Sequence, residues 1–424
     1  DVYKRQGHGI KSLEVGLNNS CAIKNNGELY CWGNNEFGQL VAGGSGWSTV
    51  VHIDLGTNMT AESVSIGNFF ICAILNDGTL KCWGRNHYGQ LGVGDLTDRD
   101  DPTTVNLALE VIAVDTDAFS TAVILTDGSV EAWGSNYLGR LGDGTETTRS
   151  SPVSIDHGDK TAVAVDARGC ALLNDGSVEC SGNNAYGQLG DGSTNNSSTR
   201  VAMDLGNNMT ATAIEVGYSH VCAILNDGSV KCTGRNQYGQ IGDGTNVDRS
   251  TPVAVDLGTN KTAVSISTYW DTVCAVLNDA SVKCWGYNYQ GYVGDGTGTN
   301  RSEPVDLAFS VEARKVGVGG YGSCALLHDS VHCWGYDNDN SLGLRGISPI
   351  SSTRTIDSVS VSTQKRVAFT DNDLDGLVPN RNVEALALNV KVFNPSQSGY
   401  LAVYNCDAAE DLSLIHISEP TRPY

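Results

Sequence analysis

The chain has 424 residues, with 27 Lys and Arg against 48 Asp and Glu, a formal net charge of −21, 50 Gly, 9 Pro and 13 Cys. At 40% hydrophobic and 18% charged it has the composition of a folded protein, not a disordered one. So acidic a balance argues against a nucleic-acid footprint and disfavours anionic membrane surfaces, and no run of 18 apolar residues is present to insert into a membrane as a helix.

The first segment in the chain is set aside. Asp1 to Gln6 (DVYKRQ) can be encoded by GATGTGTATAAGAGACAG, and Leu412 to Ile417 (LSLIHI) by its reverse complement, CTGTCTCTTATACACATC. Both strings match the transposon end used to prepare sequencing libraries, and SEPTRP continues into the adjoining adapter. Residues 1–6 and 412–424 are therefore expected to be adapter-derived, and the natural sequence between them to be a fragment. Its missing signal peptide carries no information on localisation.

From there a repeat near fifty residues dominates. The clearest copy is Cys72-Ala-Ile-Leu-Asn-Asp-Gly-Thr-Leu-Lys-Cys82-Trp83-Gly84, and counterparts start at Cys21, Ala122, Cys170, Cys222, Cys274 and Cys324, in steps of 51, 50, 48, 52, 52 and 50. Each copy orders its elements alike: an alternating strand (Val64-Ser-Ile66), the CAIL strand, a turn, the LKCW strand, a Gly-rich loop and a Pro-Val strand (Pro252 to Val255). Runs this short, bounded by Gly, Asn and Asp, read as strands. Four strands per copy and seven copies predict an all-β chain, a seven-bladed β-propeller over residues 7–362. The Trp after the second Cys (32, 83, 133, 285, 334) is expected between blades. Ser181 and Thr233 replace it, where looser packing is expected.

Twelve cysteines form within-copy pairs: Cys21/Cys31, Cys72/Cys82, Cys170/Cys180, Cys222/Cys232, Cys274/Cys284 and Cys324/Cys333. Folding Cys72 to Cys82 about Asn76-Asp77-Gly78 as a three-residue hairpin loop places the two cysteines opposite each other, within disulfide reach. The third copy has alanine at both positions, Ala122 and Ala132. The seventh shortens turn and spacing together. Six intra-blade disulfides are predicted, with reduced core cysteines or metal ligation as the alternatives; the chain has no CxxC. Disulfides imply an oxidising compartment, hence an extracellular or cell-surface location. Ala280 stands where the other long turns carry Gly, and it should cost about 1 kcal/mol if that position is left-handed.

The Gly-Asp-Gly-Thr/Ser segments (142–145, 190–193, 242–245, 294–297) read as turns, since neither a helix nor a Lys follows to cradle phosphate. The Asn-x-Ser/Thr sequons at Asn18, Asn58, Asn195, Asn196, Asn208, Asn260 and Asn300 read as turn residues unless the host glycosylates. The histidines show no paired spacing and no nucleophile elbow is present, so no catalytic residue is assigned and the chain is not expected to be an enzyme.

Residues 363–411 are expected to hold an acidic linker and a truncated β-module. Asp371-Asn-Asp373-Leu-Asp375-Gly376 matches the opening of a calcium loop, yet position twelve is Asn382 and not the bidentate Glu. Calcium at Asp371, Asp373 and Asp375 and a plain acidic linker stand as alternatives; no other cofactor is expected. Val383 to Cys406 alternates as two strands. Cys406 is odd in number, its partner expected beyond the end of the fragment.

The pattern CAILNDGxxxCWGxNxYGQLGDGTxxxRSxPVxV, best kept in Cys72–Val105, Cys222–Val255 and Cys274–Val305, resembles the regulator-of-chromosome-condensation repeat in the form common in secreted prokaryotic proteins. The resemblance covers about residues 10–350 and implies a seven-bladed propeller. It does not carry over the nucleotide-exchange activity of the founding nuclear protein. Val383 to Cys406 resembles the start of a β-module found at the ends of secreted bacterial proteins.

Positions that repeat serve the blade, so recognition is sought where positions vary yet stay bulky. The segment before the first Cys carries Phe69, Phe70, Phe119, Tyr218, His220, Tyr269, Trp270 and Tyr321, expected to gather on one rim as a binding face for a protein or a surface glycan. The second choice is the loop after Trp-Gly: Arg85, His87, Tyr88, Tyr137, Arg235, Tyr238, Tyr287 and Tyr289. An enzyme with a site in the central channel and a purely architectural domain are the rival readings.

Overall fold

In the computed structural model of the protein, residues 10–15, 19–40, 47–309, 312–319, 322–327, 331–335, 401–407 and 411–417 are described. The fold is an all-β, seven-bladed β-propeller. The second blade shows how the repeat folds. Strands Ala61–Ile66, Phe70–Leu75, Leu80–Gly84 and Arg99–Thr104 form an antiparallel meander in which each pairs with the next. Five other copies repeat this four-stranded order, and the seventh shows three strands among the described residues.

The first strand of each blade, from Ile10–Val15 to Ala313–Val318, packs on the first strand of the next, so these strands ring the axis. Blades stack face to face, which buries both sides of the second strand. Phe70–Leu75 (FICAIL) is buried throughout, and this explains its unbroken apolar run. The core therefore lies between blades: Cys21, Ile23, Leu29, Leu40 and Ile53 of the first pack against Ile66, Ile71, Leu75 and Trp83 of the second.

Two devices lock the seams between blades. Trp83, Trp133, Trp285 and Trp334 reach into the preceding blade, their Nε1–H donating to the carbonyls of Gln39, Gln90, Gln240 and Tyr292 at 2.8–3.0 Å. At 150–250 Å² buried per ring, each contributes an upper figure of roughly 4–6 kcal/mol. The second device is the hairpin turn. Its third residue (Gly27, Gly78, Gly128, Gly176, Gly228, Ala280) has φ between 62° and 83° and accepts, through its carbonyl, the N–H that opens the next inner strand, Ala61, Val111, Ala162, Ala211, Ala263 and Ala313. Ala280 thus sits in the left-handed region, with φ 62°.

The hairpin register is the expected one: Cys72 faces Cys82, Ala73 faces Lys81 and Ile74 faces Leu80. All six disulfides form: Cys21–Cys31, Cys72–Cys82, Cys170–Cys180, Cys222–Cys232, Cys274–Cys284 and Cys324–Cys333. Each has its Cα atoms 4.1 Å apart, slightly closer than an average antiparallel pair. The alternatives of reduced core thiols and of metal ligation are set aside for these twelve residues. Ala122 faces Ala132 in the third blade. Three sequon asparagines, Asn58, Asn208 and Asn260, take positive φ in turns between blades.

The two tryptophan replacements behave differently, and the expectation of loose packing is corrected for one of them. Thr233 is fully buried, its hydroxyl 2.9 Å from the Gly187 carbonyl and 2.7 Å from that of Arg249. Met203 and Pro252 close the space beside Gly190, so that seam is filled. Beside the buried Ser181 the guanidinium of Arg200 lies against Gly142, as Trp285 lies against Gly242, and a cleft lined by Arg200 and His157 adjoins it.

Leu401–Asp407 pairs antiparallel with Asp411–Ile417. The second of these strands overlaps the segment assigned to adapter, because alternating LSLIHI satisfies strand patterning whatever its origin. Asp371, Asp373 and Asp375 lie outside the described residues, as do residues 1–6. Among the described residues no helix is long and apolar enough to cross a membrane.

Candidate functional site

A meander fixes which loops share an end. The loop between first and second strands and the loop between third and fourth emerge on one side of the disc; the hairpin turns and blade connections emerge on the other. The two surfaces ranked apart from sequence are therefore one rim. Contacts across it run from the third loop of one blade to the first loop of the next. Phe37 packs on Phe69 with ring centroids 5.2 Å apart, and Tyr88 packs on Phe119 at 5.0 Å. Gln240 donates to Asp271 at 2.6 Å.

Along the rim, Arg85 lies over Phe37 and Arg235 lies between Tyr186 and Tyr238. Tyr238 meets Tyr287 edge-on at 4.9 Å, and Tyr287 stacks on Tyr289. His87 is 3.4 Å from Asp98. Of the rim's aromatic residues Tyr137, Tyr218, Trp270 and Tyr289 project furthest, 75%, 71%, 45% and 70% exposed. Phe69 and Phe119 are half-buried.

Three of the expected rim residues are not on the surface, and the expectation is corrected for them. Phe70 and His220 are fully buried and Tyr269 nearly so. Phe70 and His220 are the first residues of their strands, and each ring turns inward over a glycine three residues earlier, Gly67 or Gly217, where a Cβ would lie within 2.2 Å of ring carbon. That Gly-x-x-ring spacing is the signal that separates them from Phe69 and Phe119. Tyr269 ends its inner strand, paired with Thr272, and stacks beneath Trp270. Tyr321 lies outside the described residues.

The cysteines take no part in the rim. Cys21, Cys72, Cys170, Cys222, Cys274 and Cys324 lie on second strands, and Cys31, Cys82, Cys180, Cys232, Cys284 and Cys333 on third strands, all of them buried. Each pair ties the two middle strands of its own blade, so the sulfurs hold the loops in place and touch no ligand surface.

Sequence reasoning passed over Phe37, Tyr186, Arg140 and Arg168. Phe37 and Tyr186 share the repeat column of Tyr88 and Tyr238, so the column itself would have found them. Arg140 takes the place of Gln39, Gln90 and Gln240 in its copy. It bonds Asp117 at 2.8 Å, and Arg168 approaches the same carboxylate at 3.3 Å. Burial opposes ionisation of Asp117, yet Arg168 and Arg140 hold its pKa below the ordinary range. At Asp271 the balance reverses: burial raises the pKa despite Arg235 at 3.9 Å. Burial likewise raises the Tyr287 phenol, which stays neutral. The rim thus gathers Arg85, Arg140, Arg168 and Arg235 on a chain of net charge −21, interleaved with aromatic rings, and it can grip a surface by stacking and by guanidinium hydrogen bonds.

This is the rim of a repeat propeller, and the chain belongs to the regulator of chromosome condensation (RCC1) repeat family. Models of that repeat match residues 10–39, 61–90 and 211–240, and 77–123, 175–224 and 227–276. The chain is similar to the ultraviolet-B receptor UVR8 of Arabidopsis thaliana, 30% identical over 315 residues that cover 72% of each chain. In fold it is similar to human WBSCR16, with TM-score 0.64 at 19% identity over 76% of this chain and 87% of that one. It is also similar to Prp20p of Saccharomyces cerevisiae, with TM-score 0.62 at 18% identity over 74% and 82%. The protein is an RCC1-like propeller, a scaffold of the protein-binding kind.

Proposed function

We propose that the protein is a non-catalytic binding module of the extracellular space or cell surface, of the secreted prokaryotic type, and that the aromatic and arginine rim holds its partner. A protein is the partner the rim suits best, and a surface glycan is the second. One observation carries the choice of face. Phe69 and Trp270 are held at φ 68° and 48°, a conformation that costs a bulky L-residue about 1–2 kcal/mol. Strain of this kind persists at sites where a side chain must point in a set direction. Exposed Tyr and Trp beside Arg match the composition of interface hot spots. The disulfides support the compartment, and Prp20p, studied for its binding to Gsp1p and histones, gives a precedent for protein recognition on this fold.

The test is capture from the native surroundings on immobilised propeller, followed by crosslinking and mass spectrometry of what is retained. Trp270→Ala with Tyr218→Ala should lose capture by at least about tenfold without lowering the melting temperature, as expected for exposed anchors. Equal capture by both proteins, or crosslinks confined to the hairpin-turn side, refutes this face.

A further inference from the structure

The seven copies act as internal controls: a position that departs from its column does so for a reason local to that seam. Three departures meet at one place, between the third and fourth blades, beside Glu179. Ser181 stands where five copies carry Trp, and Arg200 where four others carry Pro (Pro102, Pro152, Pro252, Pro304). His157 stands where Leu55, Leu107, Leu205 and Leu257 stand, and Glu179, like Glu131 in the third copy, takes the column that holds Lys81, Lys231 and Lys283.

His157, Glu179 and Arg200 line a cleft of about 450 Å³ beside the outer strands. Arg200 folds into the space the indole would fill, bonding the carbonyls of Gly169 and Leu141. It has no carboxylate ion pair among the described residues, and its Nε is buried without a partner. In other blades the lysine of the Glu179 column donates to the leucine carbonyl (Lys81 to Leu55, Lys231 to Leu205). Here Glu179 Oε2 lies 2.7 Å from His157 Nδ1. The His157 side chain is 3% exposed and its Nε2 has no partner. Burial lowers its pKa, so the ring is neutral at pH 7 and donates from Nδ1 to Glu179, its Nε2 being buried.

We propose that this cleft binds a neutral sugar residue through adjacent hydroxyls. The cleft has the size of a small-ligand site. A planar guanidinium that donates, beside carboxylates that accept, matches a pair of neighbouring hydroxyls, each of which does both. An anion would face Asp156 and Glu179, and a metal cation would face Arg200. A hydroxyl-rich neutral ligand satisfies both signs of charge. Asp143, also in the wall, is occupied by Arg149 at 2.6 Å and stays structural.

Saturation-transfer NMR and calorimetry with glucose, galactose and mannose, and with glucuronate and inorganic phosphate as anionic probes, test the site. At least one neutral hexose should bind saturably, in about the millimolar range expected of a single shallow site. The variant Ser181→Trp/Arg200→Pro/His157→Leu restores the residues of the other blades. It should fold and weaken binding by at least about tenfold, an affinity ratio measured directly. His157→Leu alone is the milder control and should weaken binding also. Trp270→Ala should leave it unchanged, so the result is independent of the rim. Absence of hexose binding, binding undiminished in the restored variant, or preference for glucuronate or phosphate would each overturn the proposal.

Discussion

Ala280→Gly is expected to stabilise the protein, and its mirror Gly228→Ala to destabilise it. Both residues occupy the third turn position, whose carbonyl receives the next blade's first N–H. At φ 62° Ala280 pays about 1–2 kcal/mol relative to a right-handed residue. Glycine removes that cost but gives back about 0.4–1 kcal/mol of unfolded-chain entropy. The net gain is about 1 kcal/mol. For Gly228 the φ is 79°, and a Cβ would lie 2.6 Å from Thr262 Cβ in the adjoining blade. Strain and clash add there, so the loss should reach about 2 kcal/mol or more. Urea unfolding followed by tryptophan fluorescence measures both, provided m is unchanged. If Ala280→Gly is neutral or destabilising, or if Gly228→Ala is silent, the claim that this turn docks blade to blade through a left-handed residue fails.

Further tests use the repeat in the same way. Ala122→Cys/Ala132→Cys should form a seventh disulfide on air oxidation, seen as a mass lowered by two hydrogen atoms and as a melting temperature raised only without reductant. Closing an eleven-residue loop gives an upper figure of about 2.8 kcal/mol, and two free thiols in the purified variant would contradict the pairing of Ala122 with Ala132. Twelve cysteines in the propeller should resist thiol reagents until a reductant is added. His220 bonds Thr268 at 2.9 Å, and burial, with Arg168 nearby, pushes its pKa down to about 3. A folded-state pKa below the unfolded value near 6.5 means stability that is present above pH 6.5 and lost as pH falls towards 3. His220→Phe, the residue of the second blade, should therefore reduce the stability lost between pH 6.5 and 4.5 by about 2.3 kcal/mol; identical pH slopes would refute it.

The blade, its repetition and its disulfides were readable from the chain because they depend on local rules. An Asn-Asp-Gly turn sets the hairpin register, register brings Cys72 opposite Cys82, and the same ten-residue spacing repeats that geometry from Cys21–Cys31 to Cys274–Cys284. In the last blade a turn one residue shorter keeps Cys324 opposite Cys333. The left-handed turn at Ala280 followed from one missing glycine. Which rings reach solvent did not follow, because Phe69 and Phe70 are neighbours of equal hydrophobicity. Only the direction of the strand they enter, and the empty space over Gly67, sends one outward and the other into the core. The loops carrying Phe37 and Phe69 lie thirty residues apart and meet because consecutive blades stack. The cleft beside Arg200 likewise gathers Asp143, His157 and Glu179 from two blades. Local propensity is written residue by residue, whereas the surface left over after packing is a property of how the blades fit together.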